Sequence, residues 1–165
     1  MLINLAEPSQ AADIYSIYNL CREALRHENI FQWHDNYPTP GTITADIESG
    51  HLYTYTENGF CLGSICLNEE QSPEYLPLPW RDERKILVIH RLAVHPHAQK
   101  QGIARKLMDF AEEFAANNGY TSIRLDAYSG NQRSLKFYEN RGYYKAGEVY
   151  FPGRDLHFNC YEKLL

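Results

Sequence analysis

The chain has 165 residues, 44% hydrophobic and 22% charged, the balance of an ordinary globular domain that can bury a core without disulfide or metal staples. That length fits one domain, residues 1–165, and not two ordinary ones. Sixteen Lys+Arg against 21 Asp+Glu give a formal net charge of −5, which argues against nucleic acid as a partner while leaving room for a local anion site. The longest apolar runs, such as Ile86-Leu87-Val88-Ile89, are too short to cross a bilayer, so no membrane partner is expected. The amino terminus lacks the basic and apolar sections of a secretory signal, and the expected location is cytoplasmic. Cys21, Cys61, Cys66 and Cys160 form no C-x-x-C pair and no ligand-spaced cluster, and Cys61 and Cys66 read as reduced packing residues in an apolar run.

In chain order, Met1 to Ala6 reads as a short strand ended by Pro8. Ser9 is placed to cap a helix over about Gln10–Arg26, with Ile14, Ile17, Cys21 and Leu25 on one face. His27–Thr44 reads as loop, with Trp33, Tyr37, Pro38 and Pro40, and a short helix is expected from there to Gly50. Asn58-Gly59 between His51–Glu57 and Phe60–Leu67 is a two-residue hairpin signal. Gln71–Lys85, with Pro73, Pro77, Pro79 and Trp80, reads as a long loop, and loops of that length are usually functional or disordered. Ile86–Val94 reads as a strand and Gly102–Asn117 as a helix that buries Ile103, Leu107, Phe110, Ala111 and Phe114 and stops at Gly119. Ser122–Ala127 is a strand, Asn131–Asn140 a helix closed by Gly142, and Tyr143–Tyr150 and Leu156–Tyr161 are strands around Pro152-Gly153. This order implies an α/β fold: a mixed sheet covered by helices.

The informative segment is Ile89–Ala104, I-H-R-L-A-V-H-P-H-A-Q-K-Q-G-I-A, in which a buried strand turns into a long helix. A helix amino end carries unsatisfied N–H groups and the positive end of the dipole, which suits a pyrophosphate. Gly102 clears side-chain bulk where a phosphate would approach, Ala104 keeps the next turn small, and Lys100 adds charge. No G-x-G-x-x-G follows the first strand and no G-x-x-x-x-G-K-[ST] is present, so dinucleotide and P-loop readings fail.

The stretch L-A-V-H-P-x-x-Q-K-Q-G-I-A, followed by N-x-x-S-L-K-F-Y-E-N-R-G-Y, resembles the GCN5-related N-acetyltransferases, and the order of elements resembles that fold over nearly the full chain. The resemblance implies a mixed, mostly antiparallel central sheet flanked by helices, and acetyl-CoA as acyl donor with no metal. It further implies that Gln99, Lys100, Gln101, Gly102, Ile103 and Ala104 cradle the pyrophosphate, and that the backbone of Leu92, Ala93 and Val94 pairs with the pantetheine arm as an added strand. The family often has arginine where this chain has Gln99 and glycine where it has Ala104. Asn131, Ser134 and Tyr138, spaced i, i+3, i+7, share a helix face and span about 10.5 Å at 1.5 Å rise per residue. By the resemblance, Asn131 and Ser134 line the cofactor's path, and Tyr138 is the general acid for the departing thiolate. Otherwise Tyr138 is a buried aromatic with a satisfied hydroxyl.

An acceptor ammonium with a pKa near 10 is neutral in only about one molecule in a thousand at pH 7, so a proton must be removed. Many family members use a glutamate where this chain has Val88. His90, two residues on and expected on the same side as Val88 and Leu92, matches a histidine of arylalkylamine N-acetyltransferases, and a histidine titrates in the right range for a base. The competing reading is a core histidine bonded to a neighbour. A zinc site from His90, His95 and His97 is not expected, because Pro96 breaks the strand and no further ligand is evident. Trp33 and Tyr37 are candidates to enclose the acceptor, or else to pin their loop to the core. Glu69, Glu70, Glu74, Asp82 and Glu83 form either a rim that draws a cationic amine or a solvated face. The leading expectation is direct acetyl transfer to a primary amine of a small molecule. The alternatives are a protein or peptide acceptor, and a non-catalytic acetyl-CoA sensor. Exposed late strands would support a homodimer.

Overall fold

Seven strands and four α-helices follow one another in the computed structural model, which describes residues 2–165. They are β1 (Ile3–Leu5), α1 (Ala11–His27), α2 (Pro40–Glu48), β2 (Leu52–Glu57), β3 (Phe60–Asn68), β4 (Ile86–Val94), α3 (Ile103–Asn117), β5 (Ser122–Tyr128), α4 (Gln132–Asn140), β6 (Tyr144–Val149) and β7 (Phe158–Leu164). Met1, read from the sequence as the start of the first strand, lies outside the described residues. The sheet is mixed and mostly antiparallel, with strand order β1-β2-β3-β4-β5-β7-β6 and a parallel β4–β5 ladder that pairs Ile86, Leu87 and Val88 with Ser122, Ile123 and Arg124. By its contacts the chain divides into two compact units: Met1–Leu67 with His90–Ala111, and Asn68–Ile89 with Glu112–Leu165. No helix of the described residues is long and apolar enough to cross a membrane.

In the first unit, Asn58 and Gly59 have φ of 51° and 81°, the two left-handed residues that a twisted two-residue hairpin requires, and Glu57 pairs with Phe60 across the turn. The core gathers Ile14, Ile17, Tyr18 and Cys21 of α1 with Trp33, Ile43, Ile47, Leu52 and Cys66. Leu25, expected on that face, is half-buried. Ser9 caps nothing: it lies inside a 3-10 turn, Pro8–Gln10, where the Glu7 N–H donates to the Gln10 side chain at 2.9 Å. Helix α2 begins at Pro40, four residues before the end of the expected loop. Thr39 Oγ1 accepts from Thr42 N–H and Thr42 Oγ1 from Thr39 N–H, each at 3.2 Å, and Pro40 takes the first helical position, where it forfeits no bond.

The face of α3 is rotated from the expected one. Ile103, Leu107, Met108, Ala111 and Ala115 are buried, whereas Phe110 and Phe114 are half-buried at the flanks against Tyr53 and Tyr120. Gly119, at φ 75°, ends the helix region as expected.

In the second unit, β5 pairs with β7 and β7 with β6, all antiparallel. The proline-rich loop lies strapped to this sheet by Arg124 of β5, which is 2% exposed. Trp80 covers the guanidinium at 4.1 Å, while Nη1 donates to Gln71 Oε1 at 2.6 Å and Nη2 to the Asp82 carbonyl at 2.5 Å. Buried Glu162 of β7 accepts from the Arg81 N–H at 2.9 Å.

Gly63 of β3 sits where the chain packs closely in the first unit. A Cβ there would lie 3.1 Å from the Ala93 carbonyl oxygen, 3.1 Å from Leu107 Cδ1 and 3.2 Å from Ile103 Cγ2. Gly63→Ala is therefore expected to cost about 1–3 kcal/mol of stability through overpacking, measured by urea unfolding. An unchanged midpoint would mean that β3 and α3 part without strain.

Candidate active site

The two units carry separate groups of candidate residues. In the first, β4 ends with Val94, whose carbonyl accepts from Cys21 Sγ and from Gln99 Nε2, both at 3.1 Å. The chain then passes through a 3-10 turn at Pro96–Ala98 to the exposed Gln99, Lys100 and Gln101. Gln101 Nε2 donates to the His97 carbonyl at 3.3 Å. Lys100 and Gly102 have φ of 63° and 81°. Left-handed residues on either side of Gln101 turn the backbone sharply. The turn opens directly onto the amino end of α3, where the Gly102 carbonyl accepts the Lys106 N–H at 3.0 Å. Ile103 anchors this end of the helix in the core and Ala104 is half-buried.

Arg105, not singled out from the sequence, adds a second cation: its Nη2 is 3.4 Å from where a Gly102 Cβ would stand. Its only sequence signal is a position three residues after the glycine. The turn thus carries two cations and a glycine ahead of a helix amino end, a donor set that suits a pyrophosphate.

Upstream on β4, Ala93 and Val94 are buried, and Leu92 and His90 half-buried. Arg91 between them has φ of 51°. A left-handed residue inside a strand interrupts the two-residue repeat, so Leu92 does not share a side with His90 by alternation, as the sequence reading had it. The Arg91 guanidinium grips Asp46 of α2 with a two-pronged pair, Nε to Oδ2 and Nη2 to Oδ1, both at 2.8 Å. Nη1 donates to the Tyr37 hydroxyl at 2.7 Å and Nη2 to Cys66 Sγ at 3.3 Å. Tyr37 is half-buried and held by this contact. Trp33, 8% exposed, packs its ring edge-on to Tyr18 at 5.3 Å, as a loop anchor. Arg91 and Asp46 carried no sequence signal, standing 45 residues apart.

In the second unit Asn131 caps α4, its Oδ1 accepting the Ser134 N–H at 3.3 Å. Asn131, Leu135 and Tyr138 are buried and Ser134 half-buried, so the expected stripe exists, with part of the Asn131 side chain engaged in the cap. The Tyr138 ring, 9% exposed, lies among Phe137, Tyr143 and Tyr161 at 5.2, 6.1 and 6.2 Å. Burial, reinforced by the Asp126 carboxylate, raises its phenol above the ordinary tyrosine range, with Arg141 pulling back. Tyr138 therefore keeps its proton at neutral pH and is a donor there. Asp126 Oδ2 also accepts from the Tyr75 hydroxyl at 2.5 Å.

The expected acidic rim is partly engaged within the protein: Asp82 is buried and paired with Arg84 at 2.8 Å, the exposed Glu83 lies 3.3 Å from Arg124, and Glu69 accepts from the Tyr120 hydroxyl. All four cysteines are free thiols, and burial raises each of their pKa values. None is poised as a nucleophile.

A model of the acetyltransferase (GNAT) family matches residues 12–143. The uncharacterized N-acetyltransferase YhfO of Bacillus subtilis (strain 168) is 26% identical over 145 residues, 87% of this chain and 89% of the relative. A GNAT-family acetyltransferase from Streptococcus agalactiae shares the fold with a TM-score of 0.83 at 21% identity, over 99% of this chain and 94% of its own. YncA from Salmonella typhimurium, solved with its cofactor acetyl-CoA, does so with a TM-score of 0.74 at 21% identity, over 99% and 92%.

An exposed cation beside a phosphate site contributes on the scale of a surface ion pair. Arg105→Ala is expected to weaken acetyl-CoA binding roughly two- to five-fold, and by less at high salt, read by calorimetry. A loss independent of salt would remove Arg105 from the anion site.

Proposed function

The chain belongs to the acetyltransferase (GNAT) family, and from that premise we propose that residues 1–165 act as one domain that moves the acetyl group of acetyl-CoA directly to a primary amine of a small molecule. The observation that carries this reading is the cationic glycine turn at Gln99–Ala104, set on the amino end of α3. Acetyl-CoA supplies an activated thioester. The N–H groups of Gln99–Ala104 bind its pyrophosphate, with Lys100 and Arg105 adding charge. The backbone of Leu92, Ala93 and Val94 orients the pantetheine arm, and an N–H of that segment polarises the thioester carbonyl.

Asn131 and Ser134 line the arm, and Tyr138 presents its proton to the departing thiolate. The buried, neutral phenol supports a role as hydrogen-bond donor to the departing sulfur. His90 takes the proton from the acceptor ammonium, directly or through water. Trp33 fixes the loop before α2, and Tyr37 faces the acceptor from it. A loop anchored this firmly favours a small acceptor over an extended peptide. The four free thiols fit a reducing compartment such as the cytoplasm.

The test is thiol release from acetyl-CoA across a panel of amines and short peptides, with Tyr138→Phe alongside. One class of small amine is expected to turn over, and the variant to lose about 10²–10⁴ in kcat while binding acetyl-CoA as before. Failure of the wild-type protein to bind acetyl-CoA would sink the reading, and turnover of peptides alone would replace the acceptor class.

A further inference from the structure

Arg91 stands between the proposed base and the proposed cofactor segment, and none of the roles above belongs to it. An L-residue at φ 51° inside a strand leaves that conformation unless its surroundings over-determine it. Both ends of Arg91 are held. Its carbonyl accepts from the Tyr18 hydroxyl, which is also 2.8 Å from Ser64 Oγ. Its guanidinium uses separate prongs for Asp46 and Tyr37. Asp46 belongs to α2, and Tyr37 to the loop that leads into it.

We propose that Arg91 is a positioning residue. Its guanidinium, tied to Asp46 and Tyr37, holds the kink in β4 that aims the backbone of Leu92–Val94, and so makes cofactor affinity depend on how the loop before α2 is seated. This rests on the reading of Leu92–Val94 as the cofactor segment. A planar fork is what the arrangement requires, because the two carboxylate oxygens of Asp46, the Tyr37 hydroxyl and Cys66 Sγ are met at fixed angles. Movement of Tyr37 by an arriving acceptor is transmitted through one hydrogen bond to the residue that sets the strand.

Tyr37→Phe keeps the ring and removes the hydroxyl. Two measurements on the full chain, without acceptor, test the proposal: calorimetric binding of acetyl-CoA, and amide hydrogen exchange. Loss of a hydrogen bond to a charged group is expected to weaken acetyl-CoA about three- to ten-fold and to speed exchange at Leu92–Val94 by a similar factor, with Ile103–Asn117 unchanged. Arg91→Lys, which keeps the charge and loses the fork, is expected to change both readouts in the same direction and not to rescue them.

Faster exchange with unchanged affinity overturns the proposal, since the lock would then hold the strand without positioning the cofactor. Unchanged exchange overturns it by showing no lock. Wild-type behaviour of Arg91→Lys overturns the need for the fork. If the wild-type protein binds no acetyl-CoA, the proposal falls with the functional reading, and the exchange data still report whether Tyr37 holds the strand.

Discussion

The first unit depends on a buried ion pair in an unusual place. Arg91 and Asp46 have side chains only 11% and 12% exposed, and removal of one partner from such a pair typically costs about 3–5 kcal/mol, because the other charge is stranded. The pair fixes more than charge. The left-handed backbone at Arg91 costs about 1–2 kcal/mol relative to an ordinary strand residue, and the two-pronged grip on Asp46 offsets that. Helix α2 is thereby tied to β4, and the loop before it is tied through Tyr37. Helix α1 meets the same strand through Tyr18 at Arg91 and Cys21 at Val94. Helices α1 and α2 thus both reach this stretch of β4 through polar contacts, at Arg91 and at Val94.

The second unit uses a buried cation in the same way, for a different purpose. Arg124 gathers Trp80, Gln71 and the Asp82 carbonyl, and Glu162 receives the Arg81 N–H. A loop with three prolines in seven residues offers few backbone donors of its own, so side chains from β5 and β7 supply what a ladder would. The cost is that an acid of the loop is used internally. Asp82, buried against Arg84, is one acid that charge counted along the sequence overstates.

What the sequence revealed and what it hid divide along a physical line. Signals that act within a few residues were legible: the Asn58-Gly59 hairpin, the full extent of Ile86–Val94, the glycine turn before α3 and the helix stop at Gly119. The start of α2 was encoded just as locally, by Thr39 and Pro40, but Pro38, Pro40 and Gly41 together read as loop and concealed the cap. The face of α3 came out rotated because Phe110 and Phe114 weigh heavily in any apolar count, while Met108 and Ala115 fill the tighter space. The left-handed Arg91 had no signal at all. The side chains that grip it, Asp46 and Tyr37, stand 45 and 54 residues away in the sequence. The candidate site was therefore readable where backbone shape is set by glycine and by helix ends, and hidden where it is set by distant charge.

The environment of Tyr138 bears on how such a residue would act if it meets the departing thiolate. An ordinary phenol titrates near 10 and an ordinary thiol near 8.5, so complete proton transfer from one to the other is already uphill by about 2 kcal/mol. Burial and the Asp126 carboxylate hold the Tyr138 proton more tightly still, which makes a free phenolate the least favoured product of the step. The same burial strengthens a hydrogen bond donated to a charge that develops beside it, because little water competes. Stabilisation of the leaving sulfur by a donated hydrogen bond therefore suits this tyrosine better than full proton transfer, the phenol keeping its proton while coenzyme A leaves as the thiolate and takes a proton from water. The cluster of Phe137, Tyr143 and Tyr161 around the ring is what shields it from water.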